Sequence, residues 1–194
     1  VDGAALLNAV TETMRRYVIL PDPAADAAAL WIVHAHALDA FHVSPFMLVK
    51  SATKRCGKTR LLEILGLLCP TPLMSSNITS AALFRSIEKW KPTLICDEAE
   101  TWGKLHEDMR GILNSGHSRR LAFVIRADGQ DNEPRMFSTW APKALALIGS
   151  MPDTVEDRSI IVELRRKQGS DKVERLPNTG VPADIQVLLR QCLR

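Results

Sequence analysis

Apolar positions recur at two different spacings along this chain, and the switches between them lay out its elements. Residues 3–20 (GAALLNAVTETMRRYVIL) carry apolar side chains at helical spacing and stop before Pro-Asp-Pro, which predicts one amphipathic helix. The alanine-rich stretch 25–41 predicts a second. Short apolar runs follow at 45–51, 72–76, 93–98, 143–149 and 159–165, the form expected of strands in a covered parallel sheet. Helical spacing occupies 57–69, 79–90 and 106–117, and Thr79 or Ser80 caps the second of these segments. Residues 121–126 and 135–140 are β-rich and flank the polar Asp-Gly segment 127–134, predicting a hairpin longer than the tight two-residue kind. After a polar stretch at 167–182, residues 183–193 form a short closing helix.

Strands alternating with helices predict an α/β fold, a parallel sheet flanked by helices. An N-terminal helical pair (1–40) packs on a core (41–167) with a β-hairpin inserted before its fourth sheet strand, and a polar connection with a short helix (168–194) follows. The ligand site of such a sheet lies outside the carboxyl ends of its strands. A length of 194 residues suits one compact domain, and 46% apolar with 24% charged residues excludes disordered and fibrous classes. Net charge of +3 leans towards anionic partners without selecting nucleic acid. Cys56, Cys69, Cys96 and Cys192 form no C-x-x-C pair, which argues against zinc and iron–sulfur sites and suits a reducing, cytoplasmic setting. No apolar run reaches membrane-spanning length, and the chain opens on Val, as a piece of a longer protein would.

Candidate chemistry sits in SATKRCGKT, residues 51–59, between a predicted strand and a predicted helix. Ala52, Gly57, Lys58 and Thr59 fit G-x-x-x-x-G-K-[ST], with Ala at the first position. A methyl group is the smallest addition there, whereas Gly57 stands where backbone must approach phosphate closely. The loop residues Ala52, Thr53, Lys54, Arg55, Cys56, Gly57, Lys58, Thr59 and Arg60 therefore form the expected ATP cradle, with backbone N–H groups turned on the phosphates. Lys58 reaches the β- and γ-phosphates, and the Thr59 hydroxyl helps hold Mg²⁺. In PTLICDEAE an apolar strand runs straight into Asp97 and Glu98. A parallel strand ending there sets Asp97 beside Thr59 as a magnesium residue and Glu98 where it orients or deprotonates the attacking water. Glu100 reads as surface or as support behind this pair.

Further strings extend the pattern: NITSAALFRSIE, ILNSGHSRRLAFVIR, FSTWAPKALALIG and MPDTVEDRSIIVELRRK. With the loop and the Asp-Glu strand they resemble, over residues 3–167, the P-loop ATPase domains of the extended AAA+ class. Within it the chain is most similar to superfamily 3 and MCM-like helicases, and more narrowly to an ATPase family of unassigned function. That family is carried by phage and mobile-element proteins and is linked to primase or replication modules.

The resemblance implies a homo-oligomeric ring that couples ATP hydrolysis to DNA movement, unwinding or remodelling. It makes Ser150, where Asn or Thr is commoner, the sensor-1 residue contacting the γ-phosphate or the water. It makes Arg158, in EDRSI, an arginine finger towards a neighbouring subunit's ATP; read from the residues alone, Arg158 pairs with Asp157 or Glu156. It makes the hairpin a DNA grip through His117, Arg119, Arg120 and Arg126, with Arg135 and Lys143 on the return strand. A solvated face or subunit contacts read the same in sequence. The 27 residues beyond Lys167 are few for a helical lid bearing sensor 2, so the lid is expected to be reduced or to lie beyond the chain, and Arg190 stands in the short helix that remains.

Other residues invite blander readings. His34 and His36 are two apart and share no helix face, so packing or a contact near the adenine is expected rather than a metal site. Trp31, Trp90, Trp102 and Trp140 read as core or interface, and Arg85 either faces the nucleotide or solvates its helix. Beside the ring ATPase stand a nucleotide-gated module that hydrolyses slowly and recruits a replication or defence partner, and a phosphotransferase. The last needs an acceptor site and an arginine-bearing lid, neither of which the sequence displays.

Overall fold

A computed structural model describes residues 2–99 and 107–193; Glu100 and Trp102 lie outside the described residues. Helix α1 (Gly3–Tyr17) is capped by the Asp2 carboxylate, which accepts from the Ala4 and Ala5 N–H groups. It stops three residues short of the periodic pattern, because Val18 turns extended and the chain doubles back. Helix α2 (Asp22–His36) begins earlier than its alanine run, since a proline in the first turn has no N–H to lose. Arg15 closes the turn by pairing with Asp22 at 3.0 Å. The chain then runs through a short 3₁₀ turn, Leu38–Ala40, which the helical reading of 25–41 had absorbed.

Among the described residues seven strands and five more α-helices follow: β1 (Phe46–Ser51), α3 (Lys58–Leu68), β2 (Pro72–Ser75), α4 (Ser80–Trp90), β3 (Thr93–Cys96), α5 (Glu107–Ser115), β4 (Phe123–Asp128), β5 (Glu133–Ser138), β6 (Lys143–Ile148), α6 (Asp153–Glu156), β7 (Ser159–Leu164) and α7 (Ala183–Cys192). Thr79, not Ser80, caps α4, accepting from the Ala82 N–H. Five strands form one parallel sheet in the order β2-β3-β6-β1-β7. The three central strands are buried almost throughout, while β2 and β7 at the edges alternate in exposure.

Side chains alternate between two cores. Met47, Val49, Ile95, Ala144, Ala146 and Val162 face α1, α2, α3 and α7 in one cluster. Phe46, Leu48, Leu94, Cys96, Leu145 and Leu147 face α4, α5, α6 and the hairpin in the other. The sheet is thus covered by helices on both faces, and the N-terminal pair and the closing helix share one core with the helix that leaves the loop. Burial pushes the Cys96 thiol well above its usual range.

The hairpin β4–β5 stands apart from the main sheet, and its turn is the four residues 129–132. Gly129 and Asn132 take positive φ there, so the strands run closer to the tip than the Asp-Gly segment suggested. Val124 and Phe137 point inward, and the Phe137 ring packs 4.7 Å from that of Phe84.

Lys143 overturns one expectation. It is fully buried at the start of β6 and offers nothing to DNA. Its Nζ donates to the carbonyls of Thr139 and Ala141 at 2.9 Å each and of Gly116 at 3.4 Å. Any side chain at position 116 would strike that ammonium, so Gly116 makes the room for it. No carboxylate is among these partners, and burial lowers the Lys143 pKa from 10.5 to about 7.

The sign follows from which state keeps the proton. Between about pH 6.5 and 8 the unfolded chain stays protonated at this lysine while the folded chain releases its proton, so stability rises with pH by about 1 kcal/mol across the window. Urea denaturation at several pH values is expected to show this rise in the wild type and not in Lys143→Met. Identical slopes would mean that the three carbonyls hold the ammonium charged.

Candidate functional site

The parallel register brings the ends of β1, β3, β6 and β7 to one edge of the sheet, and the segment 52–57 leaves β1 at that edge to start α3. Two residues of this segment have left-handed backbone, Arg55 at φ 65° and Gly57 at φ 90°. Their conformations curl the chain so that α3 begins directly at Lys58. The curl is held from within. Lys58 Nζ donates to Ser51 Oγ at 2.7 Å, and Ser51 Oγ donates to the Thr53 carbonyl at 2.7 Å. The buried Cys56 thiol donates to the same carbonyl at 3.2 Å. A cleft of about 280 Å³ is lined by residues 55–60 and Glu63. A second, of about 360 Å³, opens between Ser51, Ala52, Gly149 and Glu163.

Strand β3 ends beside this loop. The Thr59 hydroxyl donates to Asp97 Oδ2 at 2.6 Å, while Asp97 Oδ1 accepts from the Glu98 N–H at 2.9 Å. Residues 38 positions apart in sequence thus meet through one short bond. Glu98 is exposed and has φ of 58°. A non-glycine residue in that region costs of order 1–3 kcal/mol and is held there only by its surroundings. Here the Asp97 carboxylate and the Ala99 N–H, which donates to the Ala146 carbonyl at 2.8 Å, fix the backbone on both sides.

Ser150 follows Gly149 just past β6, at the same edge of the sheet, with its side chain exposed and without a partner among the described residues. Arg158 stands elsewhere. Its carbonyl accepts from the Phe46 N–H, at the start of β1, so the length of that strand, roughly 20 Å, separates its backbone from the loop. Its guanidinium pairs with neither Asp157 nor Glu156; it donates to the Asn114 side chain at 3.0 Å and to the Asn114 carbonyl at 3.2 Å. Glu156 instead takes Lys50 Nζ at 2.8 Å and the Met151 N–H at 2.9 Å, which hold its carboxyl below the usual range.

The hairpin's arginines are tied inward. Arg126 reaches Asp108 at 3.4 Å, and Arg85 and Arg135 share Asp128 at 3.1 and 3.0 Å. Arg85 also lies over the rings of Phe84 and Phe137, so its guanidinium is engaged at the hairpin. Arg119 donates to the Asp39 carbonyl at 2.6 Å. His117, half-buried, contacts the Ser44 carbonyl, and its pKa is lowered chiefly by burial. Arg120 is exposed and without a partner among the described residues. The outward hairpin face is apolar, with Ile125 and Met136 more than half exposed.

His34 and His36 bond separate backbone carbonyls, those of Val43 and Leu68. Trp31 is core, its indole N–H donating to the Pro45 carbonyl, whereas Trp90 is exposed. Helix α7 packs through Ile185 and Leu188 into the core with α1 and α3. Among the described residues no cluster of three His, Cys, Asp or Glu could hold a metal. Thr59 and Asp97 are hard oxygen donors side by side, a pair that fits Mg²⁺ only when phosphate and water complete its shell.

Sequence reasoning missed Ser51, the partner of Lys58, and Arg166, whose Nε donates to the Lys54 carbonyl at 3.1 Å. The signal for Arg166 was present in its place just beyond the strand that borders β1. No family model matches the chain, and no curated protein matches it. No helix among the described residues is long and apolar enough to cross a membrane.

Gly57 offers a direct check on the loop. A Cβ there would meet only Val18 Cγ1, at an ordinary 3.5 Å, so substitution costs backbone conformation rather than space. Gly57→Ala is expected to lower stability by about 1–2 kcal/mol in urea titrations. No loss would mean that the loop relaxes out of its left-handed turn.

Proposed function

We propose that this chain is a P-loop ATPase of AAA+ type that hydrolyses Mg²⁺-ATP as a ring and drives DNA translocation, unwinding or remodelling in phage or mobile-element replication. The observation that carries the reading is the 2.6 Å bond between Thr59 and Asp97, with Lys58 one residue away. A hydroxyl at a helix start, a carboxylate at the end of a parallel strand and an ammonium on the residue before the hydroxyl are what a nucleotide's phosphates and metal require together. The strained backbone of Glu98 beside them supports a role for that carboxylate in chemistry.

In this reading Lys58 leaves Ser51 and binds phosphate oxygens, and the N–H groups of residues 53–58 bind the β-phosphate. Thr59 and Asp97 would hold the metal. Magnesium, when bound, neutralises charge on the phosphates. Glu98 orients the attacking water and takes its proton. Ser150 extends towards the same water, and Arg158 serves a neighbouring subunit from the opposite edge of the sheet. Primase or replication modules are the expected neighbours in a longer protein.

A second reading, the nucleotide-gated module with slow hydrolysis, is favoured by the contacts that already occupy the arginines the first reading needs. Asn114 already holds Arg158, and Asp108, Asp128 and Asp39 already hold the hairpin arginines that a DNA grip needs.

Steady-state hydrolysis of Mg²⁺-ATP separates these readings when measured against protein concentration, with and without single-stranded and forked DNA. Glu98→Gln is expected to lower turnover about 10²- to 10³-fold with ATP binding retained, and Lys58→Ala to lose binding. Full activity in both variants would remove the ATPase assignment. A rate that climbs with concentration and with DNA, and collapses in Arg158→Ala, supports the ring motor. A low rate indifferent to all three supports the gated module.

A further inference from the structure

A loop that binds an anion through its peptide N–H groups must send its carbonyls the other way, because the C=O and N–H of a trans peptide unit point in opposite directions. Those outward carbonyls then need donors of their own. In this chain each of the two at the crown of the loop has one. The Thr53 carbonyl accepts from the Ser51 hydroxyl and the Cys56 thiol, and the Lys54 carbonyl accepts from Arg166 Nε at 3.1 Å. The Lys54 and Arg55 N–H groups belong to these same two peptide units. None of the N–H groups of residues 53–59 has an acceptor among the described residues.

Arg166 is placed for this contact by a clasp in the segment after β7. Arg165 binds both oxygens of Asp171, at 2.6 and 3.0 Å, and donates to the Arg166 carbonyl at 3.2 Å. Asp171 in turn accepts from the Gln168 N–H at 2.7 Å. The clasp fixes the backbone of Arg166, so its side chain reaches the loop 112 positions earlier in the chain. Neither terminal nitrogen of that guanidinium has a partner among the described residues.

We propose that Arg166 is a positioning residue of the phosphate loop: it holds the Lys54 carbonyl outward and thereby presents the Arg55 N–H to the polyphosphate of a nucleoside triphosphate. The inference rests on the nucleotide reading of the loop. It differs from a catalytic role, because Arg166 acts on the loop and leaves the reacting water to others. Its loss therefore weakens binding and spares the chemical step.

The test is calorimetric titration of wild type, Arg166→Ala and Arg166→Lys with Mg²⁺-ATP and with inorganic pyrophosphate, beside kcat and KM. Arg166→Ala is expected to weaken binding of both about 5- to 20-fold, the loss of one charge-assisted hydrogen bond at an exposed site. Its kcat at saturation should stay within about twofold and its melting temperature within about 2 °C. Arg166→Lys, which keeps a charged donor on a shorter reach, is expected to recover part of the affinity. Wild-type binding with unchanged affinity in Arg166→Ala would overturn the proposal and leave the nucleotide reading intact. Equal falls in kcat and in melting temperature would overturn it in favour of a general structural role. Failure of the wild type to bind either probe would overturn both.

Discussion

Strand β1 is buried on both faces, and its peptide groups have no water to bond; every one of them must pair with β6 or β7. That constraint sets a continuous parallel register, Met47 to Ser51 against β6 and Phe46 to Ser51 against β7. Parallel pairing then forces the chain ends of neighbouring strands to a common edge, where the ladder stops and backbone polar groups become available. The loop at 52–57, the Asp97 carboxylate, Gly149 and Arg166 all stand at that edge for this one reason. Had β1 paired antiparallel with either neighbour, Ser51 and the residues beyond β6 or β7 would lie at opposite ends of the sheet.

At the edge, strain and satisfaction are distributed in a recognisable way. Left-handed backbone occurs at Arg55, Gly57, Glu98 and Gly149, two of them non-glycine residues. Carbonyls on the back of the loop are bonded to Ser51, Cys56 and Arg166, which hold the curled conformation in place. Side-chain oxygens of Thr59 and Asp97 meet in front of it. Such an arrangement binds the loop to three separate parts of the chain, the strand before it, the β3 end and the segment after β7. Its shape therefore depends on the whole sheet being assembled.

The opposite face of the sheet shows how far local charge misleads. Seen in sequence, HSRRLAFVIR and its return strand form a basic segment with a glycine-containing turn. In the fold Lys143 is buried under three carbonyls, and Arg126 and Arg135 turn to Asp108 and Asp128. The hairpin has to bury Val124 and Phe137 against Phe84, and period-two alternation then puts Arg126 and Arg135 on that same inner face. Its outer face is left with Ile125 and Met136. Arg119, Arg126 and Arg135 thus enter ion pairs within the chain, Lys143 is satisfied by carbonyls, and Arg120 stays exposed.

Local pattern alone determined the order of helices and strands, the covered parallel sheet and the residues of the loop, because burial and turn chemistry act over a few neighbouring positions. It also singled out Asp97 and Glu98, since the apolar run Leu94, Ile95 and Cys96 passing straight into two acids is the pattern of a buried strand surfacing at its end. Helix limits at Tyr17 and Asp22 and the tip of the hairpin escaped it, because those depend on what the chain turns back to meet. The place of Asp97 beside Thr59 was legible as well, from a strand end parallel to the one before the loop; the tertiary structure alone decided that Arg158 goes to Asn114 at the far edge, that Lys143 is buried and that Arg166 holds Lys54. Each of these joins positions tens of residues apart, and sequence spacing carries no distance between them until β1 has taken its place between β6 and β7.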